Sequence, residues 1–329
     1  MKIMRRTSLA SIVAATLALA AITNPAVAQG SEATWPSKPI KLIVPFAAGG
    51  GTDLVARALG EKLGAALGQT VIIDNKPGAS GVIAMEAALK AAPDGYTLVL
   101  GSASTVVVNP AVLPDLPYDP VKDFEHLADI GSATIVMVAH PDFPVKDLRD
   151  VLALAKAKPG ELNYGTWGNG STGHLCAEIV RAATGVNMTH VPYKGAALVL
   201  NDVAAGHIKL GFADVQSVVP MARSGKVKVV VSCTRRSINF PDVPGYVEQG
   251  VDFDFVWRYD LMAPAKTPKP IVDRLHAELM KILAMPDIKT LWTEFGMTAS
   301  TISPEDLKAQ TGRDVAALTK LAKQAGIRP

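Results

Sequence analysis

Apolar residues recur along this chain in two rhythms: short unbroken runs, and longer stretches spaced by three and four. The run KLIVPF at 41–46 has the continuity of a strand buried on both faces, and it predicts a strand over 40–46. Leu54, Val55, Ala58, Leu59 and Leu63 then fall on one side of a helix over 53–67. Further strands are expected at 70–74 and 97–101, with a helix over 80–91 between them. This is a βαβαβ unit, which calls for a parallel sheet with right-handed crossovers.

The middle of the chain repeats the plan. Strands are expected near 135–140, 162–165, 188–192, 208–213 and 227–232, separated by helices near 146–157, 171–184, 196–205 and 215–223. A proline-rich stretch at 240–245 precedes another strand over 255–263. The chain closes on helices. One, over 268–284, carries Ile271, Val272, Leu275, Leu279 and Ile282 at helical spacing. The last starts at Ser303-Pro304-Glu305-Asp306, a capping-box-like start with proline at the first helical position, and continues through Leu307, Val315, Leu318 and Leu321. These helices have no strands of their own, so they must pack on an existing sheet. The expected division is a discontinuous first domain (29–131 plus 257–329) and a second (132–256), with chain crossings near 131–135 and 257–263.

The N-terminus reads as an export signal. Lys2, Arg5 and Arg6 precede an apolar segment from Leu9 to Ile22, and Ala26-Val27-Ala28 fits small-x-small cleavage, which predicts a signal peptide over 1–28 and a mature start at Gln29. No later segment approaches 18 unbroken apolar residues. The expected location is the periplasm. Removing the signal's three basic residues leaves 30 basic and 30 acidic residues, and with 5% aromatics nothing in this balance suits nucleic acid or an anionic membrane. Cys176 and Cys233 are either a pair or two separate buried thiols.

Candidate chemistry gathers in glycine-rich turns that join a strand to a helix. In the first, Gly49, Gly50 and Gly51 follow the opening strand, and Thr52 or Asp53 is placed to cap the helix. Bare N–H groups at such a helix start make a seat for an anion. No Gly-Lys-Ser/Thr follows, which excludes a P-loop. The second turn, YGTWGNGSTGH at 164–174, contains Gly168-x-Gly170-x-x-Gly173, yet the next strand ends in THVPY with no acidic residue, so a dinucleotide fingerprint is incomplete. Ser171 and Thr172 can cap its helix and offer hydroxyls. In a third loop, NKPGASG at 75–81, Pro77-Gly78 reads as a turn and Ser80 as a cap. A fourth, GSAST at 101–105, offers Ser102, Ser104 and Thr105. In parallel sheets such loops share the carboxyl edge, so two domains suggest a cleft between two such edges.

Asp53 is either an N-cap or a partner for a ligand ammonium or hydroxyl, and Asp214 invites the same choice. The glycine-rich loops hold no arginine, and Lys76 and Lys194 are the nearest cations. Backbone N–H groups, hydroxyls and bridging water would then hold the ligand, which points to a reversibly bound carboxylate. Catalytic sets are missing: there is no G-x-S-x-G elbow and no H-E-x-x-H. His174 reads as a ligand contact or loop brace rather than a general base. The alternative is a small-molecule enzyme using the Gly168–Gly173 loop with His174.

The motifs VPFAAGGGTD (44–53), DNKPGASG (74–81), PDGYTLVLGS (93–102), LPYDPVKDF (116–124), YGTWGNGSTGHL (164–175), VPYKG (191–195) and APAKTPKPIV (263–272) together resemble the Bug (TctC-like) solute-binding proteins of tripartite tricarboxylate transporters. The resemblance covers essentially the whole mature chain. It implies an α/β, two-domain periplasmic binding protein of type II-like form, closing about a strand hinge over a small organic acid. Ligands in the family include di- and tricarboxylates, acidic amino acids and aromatic carboxylates. Carried onto this chain, the binding loops are Ala48, Gly49, Gly50, Gly51, Thr52 and Asp53, and Thr166, Trp167, Gly168, Gly170, Ser171, Thr172 and His174. Gly78, Ser80, Gly81, Ser102 and Asp214 support them. No cofactor or metal is implied, and the expected partners of the monomer are membrane transporter subunits or a sensor receptor. The chain departs from the family at Gly51, where many relatives have proline, at Ser80, a common glycine, and at Trp167, a large aromatic in the second loop.

Overall fold

A computed structural model describes residues 35–327, so the expected signal peptide lies outside the described residues. In chain order the first part comprises β1 (Ile40–Val44), α1 (Gly51–Leu67), β2 (Val71–Asn75), α2 (Val82–Leu89), β3 (Thr97–Ser102), a π-helical turn (Ser104–Val108) running into α3 (Asn109–Val112), and β4 (Phe124–Ala133). The middle comprises β5 (Ile135–Ala139), α4 (Leu148–Ala157), β6 (Asn163–Thr166), α5 (Thr172–Thr184), β7 (Thr189–Pro192), α6 (Ala196–Ala204), β8 (Leu210–Asp214), α7 (Val215–Arg223) and β9 (Lys228–Ser232). The chain ends with β10 (Trp257–Pro264), α8 (Lys269–Ala284), α9 (Pro286–Glu294) and α10 (Pro304–Gln324).

These strands form two five-stranded sheets, ordered β2-β1-β3-β10-β4 and β7-β6-β8-β5-β9. β1 pairs in parallel with β2 and β3, and β6 with β7 and β8. Each sheet is mixed rather than all-parallel, because β10 runs antiparallel to β3 and β4, and β5 antiparallel to β8 and β9. The α/β class holds. The chain passes between sheets at Thr134, directly between β4 and β5, and returns before β10. α8 and α10 pack against β4, so the strandless C-terminal helices cover the first sheet. From Lys38 on, the chain forms one compact unit.

Local signals set many of these elements. Leu42, Val44, Leu98 and Leu100 are fully buried, as strands covered on both faces require. α10 opens as expected, with Ser303 Oγ accepting the Asp306 N–H at 3.0 Å and donating to the Asp306 carboxylate at 2.9 Å. β4 is the main element that periodicity misses. Its sequence, FEHLADIGSA, places His126 and Asp129 among buried positions. Both are tolerated there because β10 supplies partners: Asp260 meets His126 Nδ1 at 2.5 Å, and Arg258 lies 3.5 Å from Asp129. Cys176 and Cys233 are free, buried thiols.

Candidate functional site

A narrow cavity lies where the two sheets' loops meet. Its walls follow the carboxyl ends of β1, β3, β6 and β8, completed by β10. Contacts between loops hold the sheets together around it. The Ala47 N–H donates to the Lys194 carbonyl at 3.1 Å, which seats the first turn on the VPYKG segment.

α1 begins at Gly51 with Gly50 at the N-cap and no side-chain cap. Asp53 therefore does not cap the helix from outside; it sits in the first turn and its carboxylate reaches back. That carboxylate accepts from the Gly49 N–H at 2.9 Å, from Arg57 at 2.8 and 3.0 Å, and from Asn75 Nδ2 at 2.9 Å. Burial pushes its pKa up, but these bonds together outweigh it and hold the carboxyl below the usual range. Asp53 does not line the cavity. It braces the glycine turn.

The carboxylate that does face the cavity is Asp214, at the end of β8. Its Oδ1 accepts from the Tyr259 hydroxyl at 3.2 Å, and its side chain lies close against Gly51 at the start of α1. Burial pushes its pKa up to about 6. A Cβ at position 51 would lie 2.7 Å from Asp214 Cβ. That close approach is the physical reason for glycine here.

The second glycine-rich turn is bound up with itself and with the first sheet. Ser171 is the N-cap of α5, its Oγ accepting the His174 N–H at 3.2 Å. Ser104, from the turn after β3, accepts the Thr172 N–H at 3.0 Å and the Trp167 indole N–H at 3.0 Å, and its hydroxyl lies 2.6 Å from Thr172 Oγ1. Thr166 Oγ1 meets His190 Nε2 at 2.7 Å. His174 accepts the Gly170 N–H through Nδ1 at 3.2 Å and stacks on His190 with ring centroids 4.4 Å apart. Burial holds His174 below the usual histidine range, and burial followed by the neighbouring His174 takes His190 down to about 4. The two rings act as neutral packing beneath the loop.

Ser80 does not cap a helix. It adopts φ 51° and its hydroxyl donates to the Asn169 carbonyl, tying NKPGASG to the second glycine-rich turn. A Cβ at Gly168, whose φ is +125°, would collide with the Ser80 hydroxyl at 2.5 Å.

Of the residues expected from sequence, the structure brings Gly50, Gly51, Thr52, Ser102, Trp167, Thr172 and Asp214 to the cavity wall. Ala48 and Gly49 stay on the exposed tip of the first turn. Asp53, Gly78, Ser80, Gly81, Thr166, Gly168, Gly170, Ser171 and His174 do not line the cavity. Sequence reasoning missed the walls formed by Phe46, Trp257 and Tyr259, and it did not single out Ser104 within its loop. Tyr259 and Trp257 sit on the returning strand β10, whose place beside β3 is a matter of topology. Two buried polar atoms of lining residues, Ser102 Oγ and Trp257 Nε1, have no hydrogen-bond partner. Arg258 is the lining residue with a cationic side chain, and Asp314 at 2.7 Å and Asp129 at 3.5 Å already hold its guanidinium. Among the described residues no cluster of His, Cys, Asp and Glu could hold a metal ion, and no helix is long and apolar enough to cross a membrane.

A two-sheet α/β frame with a cation-poor cavity at the strand ends is the form of a small-solute binding protein. Residues 55–327 match the tripartite tricarboxylate transporter family receptor profile, TctC, and the chain belongs to that family. It is similar to Protein BugT of Bordetella pertussis, 30% identical over 328 residues that span 98% of this chain and 99% of that one. Among solved structures it is similar to an R. palustris protein with adipate, with a TM-score of 0.85, 33% identity, and coverage of 90% of this chain and 99% of that one. It is also similar to MatC from Rhodopseudomonas palustris with bound malate, with a TM-score of 0.83, 31% identity, and coverage of 87% and 99%.

Proposed function

We propose that this protein is exported to the periplasm, where it captures a small organic carboxylate and delivers it to the membrane subunits of a tripartite tricarboxylate-type transporter. The observation that carries the reading is the pair of unpartnered buried donors, Ser102 Oγ and Trp257 Nε1, in a cavity that Thr52 and the start of α1 also line. Buried polar groups are normally satisfied, so these two await oxygen atoms of a guest. The carboxylate ligands of the two R. palustris relatives support the choice of guest. In this reading residues 29–131 with 257–329 form one domain and residues 132–256 the other, and the strands around Thr134 and Trp257 act as the hinge. Closure follows from the closed form's higher affinity for ligand. The protein binds and releases its solute unchanged.

Mass spectrometry of small molecules released from gently purified protein tests the reading, followed by calorimetry with the compound found. One carboxylic acid, bound at micromolar affinity or tighter and recovered intact, is the expected result. Protein that retains no acid and shows no thermal shift with a broad acid panel would refute it.

A further inference from the structure

Two helix N-termini face the cavity, and each is an obvious seat for one end of a dicarboxylate. In this chain the protein itself crowds both. At α5, the Thr172 N–H is taken by Ser104 Oγ and the His174 N–H by Ser171 Oγ. The Trp167 ring lies over the same helix start: a Cβ at Gly173 would sit 2.9 Å from it. The ring also packs edge-on against Phe46, with centroids 6.5 Å apart, and is pinned by its N–H to Ser104. The second sheet's seat is thus roofed by an indole and filled by a hydroxyl from the first sheet.

At α1, Asp214 arrives from the second sheet and sets a carboxylate of its own against the helix start, its Cγ 2.9 Å from where a Cβ on Gly51 would stand. A ligand carboxylate brought to this place would meet a buried like charge with no free cation on the cavity wall to relieve it. What the protein leaves unpartnered among the lining residues is the pair of buried donors, Ser102 Oγ and Trp257 Nε1, set beside the aromatic side chains of Phe46, Trp167 and Trp257. That is provision for one anionic end and an uncharged body.

Resting on the carboxylate-binding reading above, we infer that this protein selects small monocarboxylates and rejects dicarboxylates, with Trp167 closing one anion seat and Asp214 filling the other. Ser102 and Trp257 hold the single carboxylate. Trp167 and Asp214 are the specificity-determining residues: the adipate-bound and malate-bound relatives guide the choice of a carboxylate, while the second carboxylate of those ligands has no seat here.

The test is isothermal calorimetry at pH 7.5 and fixed salt with acids matched in carbon number: butyrate against succinate, hexanoate against adipate, benzoate against phthalate. The expected result is a monocarboxylate preference of at least about tenfold in at least one pair. Trp167→Ser and Asp214→Asn are each expected to shrink that ratio by raising dicarboxylate affinity. A wild-type protein that binds any matched dicarboxylate as tightly as its monocarboxylate overturns the inference and leaves the carboxylate-binding reading standing. A wild-type protein that binds none of the six, and releases no acid on denaturation, removes the underlying reading instead. Should a variant fail to fold, the wild-type ratio alone decides.

Discussion

The contact between Gly51 and Asp214 gives the most direct handle on how the two faces of the site meet. In Gly51→Ala the new Cβ would stand 2.7 Å from Asp214 Cβ, 2.9 Å from its Cγ and 3.0 Å from Oδ2. Carbon atoms prefer about 3.5–4.0 Å, so the overlap approaches about 1 Å. A rotamer change at Asp214 cannot relieve it, because Cβ moves only with the backbone. Either the start of α1 or the β8–α7 junction must give way, and overpacking of this kind costs about 1–3 kcal/mol. The cost falls on the arrangement in which the two faces touch, so it appears as a loss of affinity of about 5- to 150-fold. Folding stability should hold or rise slightly, since alanine restricts the unfolded chain more than glycine does. Calorimetric titration with the released ligand, alongside thermal unfolding of the ligand-free protein, separates the two effects. The neighbouring Gly50→Ala is the control: a Cβ there meets nothing closer than 3.7 Å, and its affinity should stay close to wild type. Adding Asp214→Gly to Gly51→Ala deletes the obstructing Cβ and should recover part of the loss. Unchanged affinity in Gly51→Ala, with the Tyr259–Asp214 bond still formed, would refute the argument.

Three further outcomes are expected. Asp214 is raised to about 6 by burial, so its stabilising contribution is fully present below its unfolded value of 3.8 and is lost as pH rises through about 6. Asp214→Asn should remove that part of the slope, about 3 kcal/mol across the window, in urea unfolding at stepped pH. His190, taken down to about 4, slopes the other way, so the variant-minus-wild-type difference is what must be read, and a flat difference would sink the assignment. Ser104→Ala leaves the Trp167 and Thr172 N–H groups unpaired and should lower stability by about 2 kcal/mol or more, measured by the urea midpoint. Cys176 and Cys233 are fully buried, and burial pushes the Cys176 thiol up, so native protein should resist alkylation while unfolded protein takes two labels; native labelling would contradict the packing of α5.

The elements legible in the sequence are those whose causes are local. IKLIV, apolar but for the exposed Lys41, becomes β1, three glycines follow it, and the spacing after them forms α1. Ser171 and Ser303 cap the helices that follow them because a cap needs only its own next turn. β4 resisted reading because His126 and Asp129 are buried only by virtue of β10, far along the chain. Asp53 looked like a cap or a ligand partner, and Arg57 and Asn75 turned it into a brace.

By itself, then, the sequence determined an α/β chain, its helix starts, and the ordered motifs of the TctC family. It also placed the glycine-rich turns at strand ends. Only the tertiary structure decided which of their donors stay open. A helix N–H is a seat for an anion until another segment reaches it, and here, from opposite sheets, Ser104 takes the Thr172 N–H and Asp214 sets its side chain against the Gly51 end of α1. The polar groups left for a ligand, Ser102 and Trp257, are those that folding brings to the cavity without a partner.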